Sequence, residues 1–176
     1  MDASAYSKVC GPLGVLTDAV PVPADVSDAA GQLFFGRAGE VISQEIGFGT
    51  DIYSLVGTVP LHVDAYFDHG AEGFCAMGLV LLNEAGVCLT DGENILPLPT
   101  GAVFRHDPCS LHGTCLPNGS IGEEGRLVFI SLDFDLKSDP EDHPTEFGQW
   151  ALDDAIEKLR ELGLLPGEGH AFGGQQ

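Results

Sequence analysis

GFCAMGLVLLNEAGVCLTDG, residues 73–92, holds two short apolar runs, each closed by turn-forming residues. Neither run is long enough for a buried helix, and both have the length and residue types of strands. The intervening Asn83-Glu84-Ala85-Gly86 predicts a hairpin turn in which Gly86 takes positive φ, and Asp91-Gly92 predicts a second turn. The same pattern extends outward in both directions: GEVISQEIGF (39–48), TDIYSLVG (50–57), VPLHVDAYF (59–67), GAVFRHD (101–107) and GRLVFISLDFDL (125–136). Short strands at this spacing, divided by Gly, Asn, Asp and Pro, predict a β-sandwich or barrel over residues 33–136. Residues 1–30, rich in Pro, Asp, Ala and Gly, predict an extended lead-in with little regular structure. After Pro140 the period changes. Phe147, Trp150, Ala151, Ala155, Ile156, Leu159 and Leu162 recur at helical spacing. They predict one helix near 145–162 (144–163 at its widest), stopped by Gly163 and Pro166 and packed outside the sheet. The 176 residues are expected to form one domain.

Within this frame the segment Val59-Pro60-Leu61-His62-Val63-Asp64 carries the chemistry. On a strand, alternation would put His62 and Asp64 on one face and Leu61, Val63 and Ala65 on the other. An imidazole and a carboxylate so placed can bind one metal ion. His112, 48 residues after Asp64 in Ser110-Leu111-His112-Gly113-Thr114, would complete a two-histidine, one-carboxylate set. Such a set leaves positions open for a bidentate cosubstrate and dioxygen, which suits non-haem Fe(II). H-x-D alone turns up by chance in many chains, so the order of the other features matters.

Those features resemble the Fe(II)/2-oxoglutarate dioxygenase superfamily between about Thr50 and Asp135. The superfamily pattern is H-x-D, then a glycine opening the strand that leads to a distal histidine, then an arginine on the last core strand. Here the matches are His62 and Asp64, Gly101 in LPTGAVFRHD, His112, and Arg126 in GRLVFISLDF; Tyr53 resembles a tyrosine that some members place against the cosubstrate. The resemblance implies a double-stranded β-helix (jelly-roll), with Fe(II) on His62, Asp64 and His112. It also implies 2-oxoglutarate as cosubstrate, held by Arg126 and Tyr53, and hydroxylation of a small molecule or a protein side chain. A dianion in a partly closed barrel calls for a forked cation. Arg126 has a competing role, an ion pair with a neighbouring carboxylate such as Glu123 or Glu124, and Arg105 is the reserve anchor. The Arg-x-Ser arrangement of some branches is missing, since Val128 stands two residues after Arg126. The core is short, so residues 1–50 or a partner subunit in a homo-oligomer would supply the lid.

Other readings are weaker. Cys109, His112 and Cys115 form C-x-x-H-x-x-C, but a structural zinc site draws on two knuckles and no second one is present. His69 is expected in a turn after the strand and His106 on a polar rim. There is no G-x-S-x-G elbow and no G-x-x-x-x-G-K loop. The different-class alternative is a catalytically silent, cupin-like metal- or ligand-binding protein.

Charge narrows the partners. Twenty-seven acidic against 7 basic residues give a formal net charge of −20. Lys8 and Lys137 bracket a stretch whose basic residues are Arg37, Arg105 and Arg126. Nucleic acid, whose binding needs cations to displace counterions, is disfavoured. The five cysteines form no C-x-x-C pair, which fits reduced thiols. The N-terminus lacks a basic region followed by an apolar stretch, and no run of 18 apolar residues occurs, so a cytoplasmic protein with no membrane partner is expected.

Overall fold

The computed structural model describes residues 13–15, 20–47, 50–64, 74–108, 110–135 and 143–167. Its strands are β1 (Leu13–Val15), β2 (Val41–Gly47), β3 (Thr50–Val56), β4 (Phe74–Asn83), β5 (Cys88–Thr90), β6 (Ile95–Pro97), β7 (Val103–His106), β8 (Gly113–Cys115) and β9 (Arg126–Asp135). The two helices are α1 (Ala24–Ala30) and α2 (His143–Glu161). Six strands form one sheet in the order β1-β7-β4-β9-β3-β2, and three form a second in the order β6-β5-β8. Every strand pair is antiparallel. The protein is mainly β, a jelly-roll with one long C-terminal helix outside it, as the sequence predicts.

The middle of the large sheet is buried on both faces, and β9 shows how. Leu127 packs between the sheets with Leu55, Val80, Leu89 and Phe104. Val128 and Ile130 face the helices, among Val26, Leu33, Phe147 and Leu159. A strand covered on both sides has no polar face, hence its nearly continuous apolar sequence. The α2 helix presents Phe147, Ala151, Leu152, Ala155 and Leu159 to the sheet, while Trp150 and Leu162, which share the periodicity, are exposed. Gly163 ends it at φ 73, with Leu164 N–H donating back to the Leu159 carbonyl.

Three expectations change. The lead-in is not extended throughout, because residues 24–30 form α1 behind Pro23, burying Val26, Ala29 and Ala30. The Asn83–Gly86 turn has the expected glycine conformation, φ 65 at Gly86, but it is not a hairpin. It carries the chain from the large sheet (β4) to the small one (β5), and the Asn83 side chain braces the corner. Its amide donates to the Val87 and Leu98 carbonyls, and its oxygen accepts from Val87 N–H. Asp91-Gly92 does turn a hairpin, between β5 and β6, with the Asp91 carboxylate accepting from the Glu93 and Asn94 amides. Finally, His62 and Asp64 lie outside any regular strand. The segment from Val59 runs beside β8 as a fourth, irregular edge of the small sheet.

No helix among the described residues is long and apolar enough to cross a membrane.

Candidate metal centre

The site begins with a backbone pairing. His62 and His112 form an isolated antiparallel bridge in which each N–H donates to the other's carbonyl, at 2.8 and 2.9 Å. Directly paired residues project side chains the same way, and the two rings stand 4.5 Å apart. One residue further along the same side, Asp64 is fixed by its N–H to the Pro108 carbonyl. The outward-pointing Leu61 and Val63 are exposed, in keeping with alternation.

Each imidazole is then oriented from behind. His62 Nδ1 lies 2.8 Å from the Pro60 carbonyl and His112 Nδ1 lies 2.9 Å from the Ser110 carbonyl. A carbonyl only accepts, so each Nδ1 carries the proton and each Nε2 offers a lone pair. Those lone pairs face Asp64, with Nε2 of His62 3.5 Å from Oδ1 and Nε2 of His112 3.7 Å from Oδ2. One ligand atom from each residue lies within 4.8 Å of the others. Donors at about 2.1 Å from a common ion stand roughly 3 Å apart, so modest closure suffices for one ion. The chemistry of the donor set fits a divalent metal: two neutral nitrogens held by carbonyls, and one carboxylate.

The turn before His112 is part of the same support. Ser110 Oγ donates to Asp107 Oδ2 at 2.7 Å and Ser110 N–H to the Asp107 carbonyl at 3.0 Å, which fixes the carbonyl that orients His112. Burial pulls the His112 imidazole below its ordinary value, against the opposing pull of the Ser110 carbonyl and the Asp64 and Asp107 carboxylates. A neutral ring is the form a metal binds.

Gly113 allows this close approach. A Cβ there would lie 2.9 Å from the carbonyl oxygens of both Val59 and Pro60 and 3.0 Å from Leu61 N, all backbone atoms. Gly113→Ala is expected to push the two segments apart and spoil the His62–His112 pairing. Overpacking of this kind costs about 1–3 kcal/mol. Metal affinity should fall by roughly 10–100-fold, the range seen when supports of a ligand are lost. Calorimetric metal titration beside a urea melt reads both.

The three residues open onto a cavity of about 290 Å³ between the sheets, walled mainly by Leu55, Leu89, Leu98, Phe104, Leu127 and Phe129. Its polar lining includes Tyr53, Thr114, Ser131 and His106. Tyr53 stacks on Phe129 at 5.1 Å and donates to Asp51 Oδ2 at 3.4 Å.

Arg126 is not in this cavity, which corrects the expectation of an anchor there. Leu127, Phe129 and Ser131 of β9 point inward, so Arg126 falls on the opposite, helix-facing side. Its guanidinium forms a forked ion pair with Glu84, donates to the Gly31 carbonyl at the end of α1, and lies 5.8 Å from the Phe35 ring centre. The competing role as an ion pair is the one found, with Glu84 in place of Glu123 or Glu124. Arg105 alternates out in the same way, between the inward Phe104 and His106. No Lys or Arg lines the cavity among the described residues.

His106 departs from expectation in the other direction. It is buried rather than on a polar rim, and its ring lies 4.3 Å from that of His112. Burial, with the adjacent His112 and His62, lowers its pKa from 6.5 to about 3. Only the alternation of Phe104 and His106 about Arg105 could have signalled this, and that gives no inward direction. His69 and Cys109 lie outside the described residues. Cys115 is buried on the face of β8 opposite Thr114, paired with Cys88, and is not in the His62–Asp64–His112 group.

A depressed histidine pKa has a definite stability signature. Below about 6.5 the unfolded chain takes up a proton at His106 that the folded chain refuses until about 3. The unfolded state then binds more protons, so stability is full above 6.5 and is lost as the pH falls through that window. One such group removes on the order of 1 kcal/mol by pH 5.5. Urea unfolding of metal-free protein at pH 7.5 and 5.5 should show this loss, and His106→Phe should remove most of it.

No family model matches the sequence, and no curated protein does. Solved structures do resemble the fold. One is the non-haem α-ketoglutarate-dependent epimerase SnoN of nogalamycin biosynthesis, 13% identical over 76% of this chain and 84% of that one, TM-score 0.45. A cupin 2 domain-containing protein from Halorhodospira halophila is 11% identical over 68% and 81%, TM-score 0.36. The non-haem monooxygenase ThoJ, as a nickel complex, is 15% identical over 81% and 73%, TM-score 0.34. These likenesses concern the jelly-roll fold alone.

Proposed function

We propose that the chain is a mononuclear, non-haem Fe(II) oxygenase that acts on a small molecule held between its two sheets. The observation that carries this reading is the convergence of two carbonyl-oriented Nε2 atoms on the Asp64 carboxylate at the wall of an apolar cavity. When bound to such a set, Fe(II) supplies one-electron and dioxygen chemistry with open coordination positions. The protein's part is orientation and exclusion of water. The Pro60 and Ser110 carbonyls hold the proton on Nδ1 of each histidine, and Phe104, Leu127 and Phe129 keep the cavity dry. 2-Oxoglutarate as cosubstrate is the finer form of the reading. Its distal carboxylate would have neutral donors, Tyr53, Thr114 or Ser131, in place of an arginine.

The lack of a lining cation among the described residues favours a second reading, a metal-binding cupin-like protein without turnover. Anaerobic titration with Fe(II) and then 2-oxoglutarate, followed by air, separates the two. A visible charge-transfer band and stoichiometric succinate are expected from the oxygenase. Iron binding with neither band nor succinate would overturn the 2-oxoglutarate form. Because Arg126 is committed to Glu84 and Gly31, Arg126→Ala should leave the 2-oxoglutarate dissociation constant within about twofold, where loss of a buried charge partner would change it by hundreds.

A further inference from the structure

The cavity has a polar atom that the metal centre does not use. Nδ1 of His106 is buried without a hydrogen-bond partner among the described residues, although the ring lines the cavity. Buried polar atoms left unpaired call for an explanation. A neutral imidazole carries one N–H, and because the His106 ring lines the cavity that N–H is the donor it can offer a ligand there. Stacking on Phe104, with 6.3 Å between ring centres and 18° between planes, and the contact with His112 fix the ring in place.

The rest of the lining defines what that N–H can meet. Phe104 and Phe129 meet edge to face at 5.6 Å, and Leu55, Leu89, Leu98 and Leu127 complete an apolar wall. No Lys or Arg is available there among the described residues, and the surrounding protein carries a formal charge of −20. An anionic prime ligand would lose its hydration and meet a repulsive field with no Lys or Arg to offset either, whereas 2-oxoglutarate would have the charge of the bound ion. An apolar pocket with a few placed polar groups is the usual form of a small-molecule site.

We infer that the prime ligand of this cavity is an uncharged, largely apolar and preferably aromatic small molecule whose single hydrogen-bond acceptor, a carbonyl or hydroxyl oxygen, is held by the ring N–H of His106. This deepens the proposed function by naming its substrate class and rests on the reading of the cavity as the substrate site. His106 would act as a specificity-determining residue, touching substrate beside the metal ligands.

Three size-matched probes test it: acetophenone, ethylbenzene and benzoate, titrated calorimetrically into metal-free and Zn(II)-loaded protein. Acetophenone should bind both forms, and in metal-free protein it should bind at least about tenfold more tightly than benzoate. His106→Leu should weaken acetophenone about tenfold while leaving ethylbenzene unchanged or tighter. His106→Gln, which keeps a donor near the same position, should hold acetophenone within about threefold of the parent, a rescue that a merely structural role would not give. Tighter binding of benzoate than acetophenone to metal-free protein would overturn the inference. So would equal acetophenone affinity in the parent and His106→Leu. The metal-free arm keeps the result independent of the metal assignment: failure of Zn(II) to bind refutes the proposed centre, and loss of acetophenone selectivity refutes the ligand class.

Discussion

Replacing His112 with alanine is expected to lower affinity for Fe(II) or Co(II) by well over a hundredfold while the chain still folds. His112 is buried, and its Nε2 and that of His62 flank the same carboxylate. Losing an outer support of a metal ligand costs about 10–100-fold, so losing the ligand itself must cost more. Folding should survive because a buried imidazole held below its ordinary pKa contributes no charge that neighbours depend on. The backbone bridge to His62, moreover, does not involve the side chain. Co(II) absorption and a urea melt report the two properties separately. Cys115→Ser, on the far face of β8, should change the metal affinity less than twofold. Full Co(II) affinity in His112→Ala, or its loss in Cys115→Ser, would sink the proposed centre.

Leu159→Ala is expected to have the opposite profile, with a large loss of stability and an intact metal site. Leu159 is fully buried in the cluster that joins α2 to the large sheet, with Ala155, Leu79 and Val128. Leucine-to-alanine changes at such positions cost about 2–5 kcal/mol, because transfer free energy is lost and a cavity remains. For a chain of this length that lowers Tm by roughly 5–20 °C. The metal site lies on the other side of the sheet, so Co(II) affinity in the folded protein should stay within about twofold. A calorimetric melt and a metal titration on the same variant decide it. A variant that melts normally would mean that the helix is not part of the core.

These two variants also mark what the sequence could and could not convey. The convergence of His62, Asp64 and His112 was legible because its signal is chemical and sparse: few side chain types can bind a metal, and these three stand in an order with few alternatives. The α2 helix was legible because only one of its faces is apolar. Phase was not legible on β9. Leu127, Val128, Phe129 and Ile130 are all apolar, since the strand is covered by the small sheet on one side and by helices on the other. With no polar face to set the alternation, nothing local says whether Arg126 points in or out. Only the pairing of Arg126 with Val56, and of Tyr53 with Phe129, fixes that. The burial of His106 is not legible for a related reason, because its neighbours Arg105 and Asp107 give the stretch the composition of an exposed one. The α1 helix is not legible in the sequence because seven residues carry too few turns to show a period.

The His62–His112 bridge also makes the site sensitive to one class of genetic change above others. Two of the three donors are set by a single rung of backbone pairing, so their separation depends on alignment of the two segments more than on rotamers. Because side chains alternate, deleting Pro60 would slip that alignment by one position and exchange the two faces of the segment. Leu61 and Val63 would then turn toward the cavity, and His62 and Asp64 toward solvent. Point substitutions around the site should therefore be graded in effect, whereas single-residue insertions or deletions there should be all-or-none.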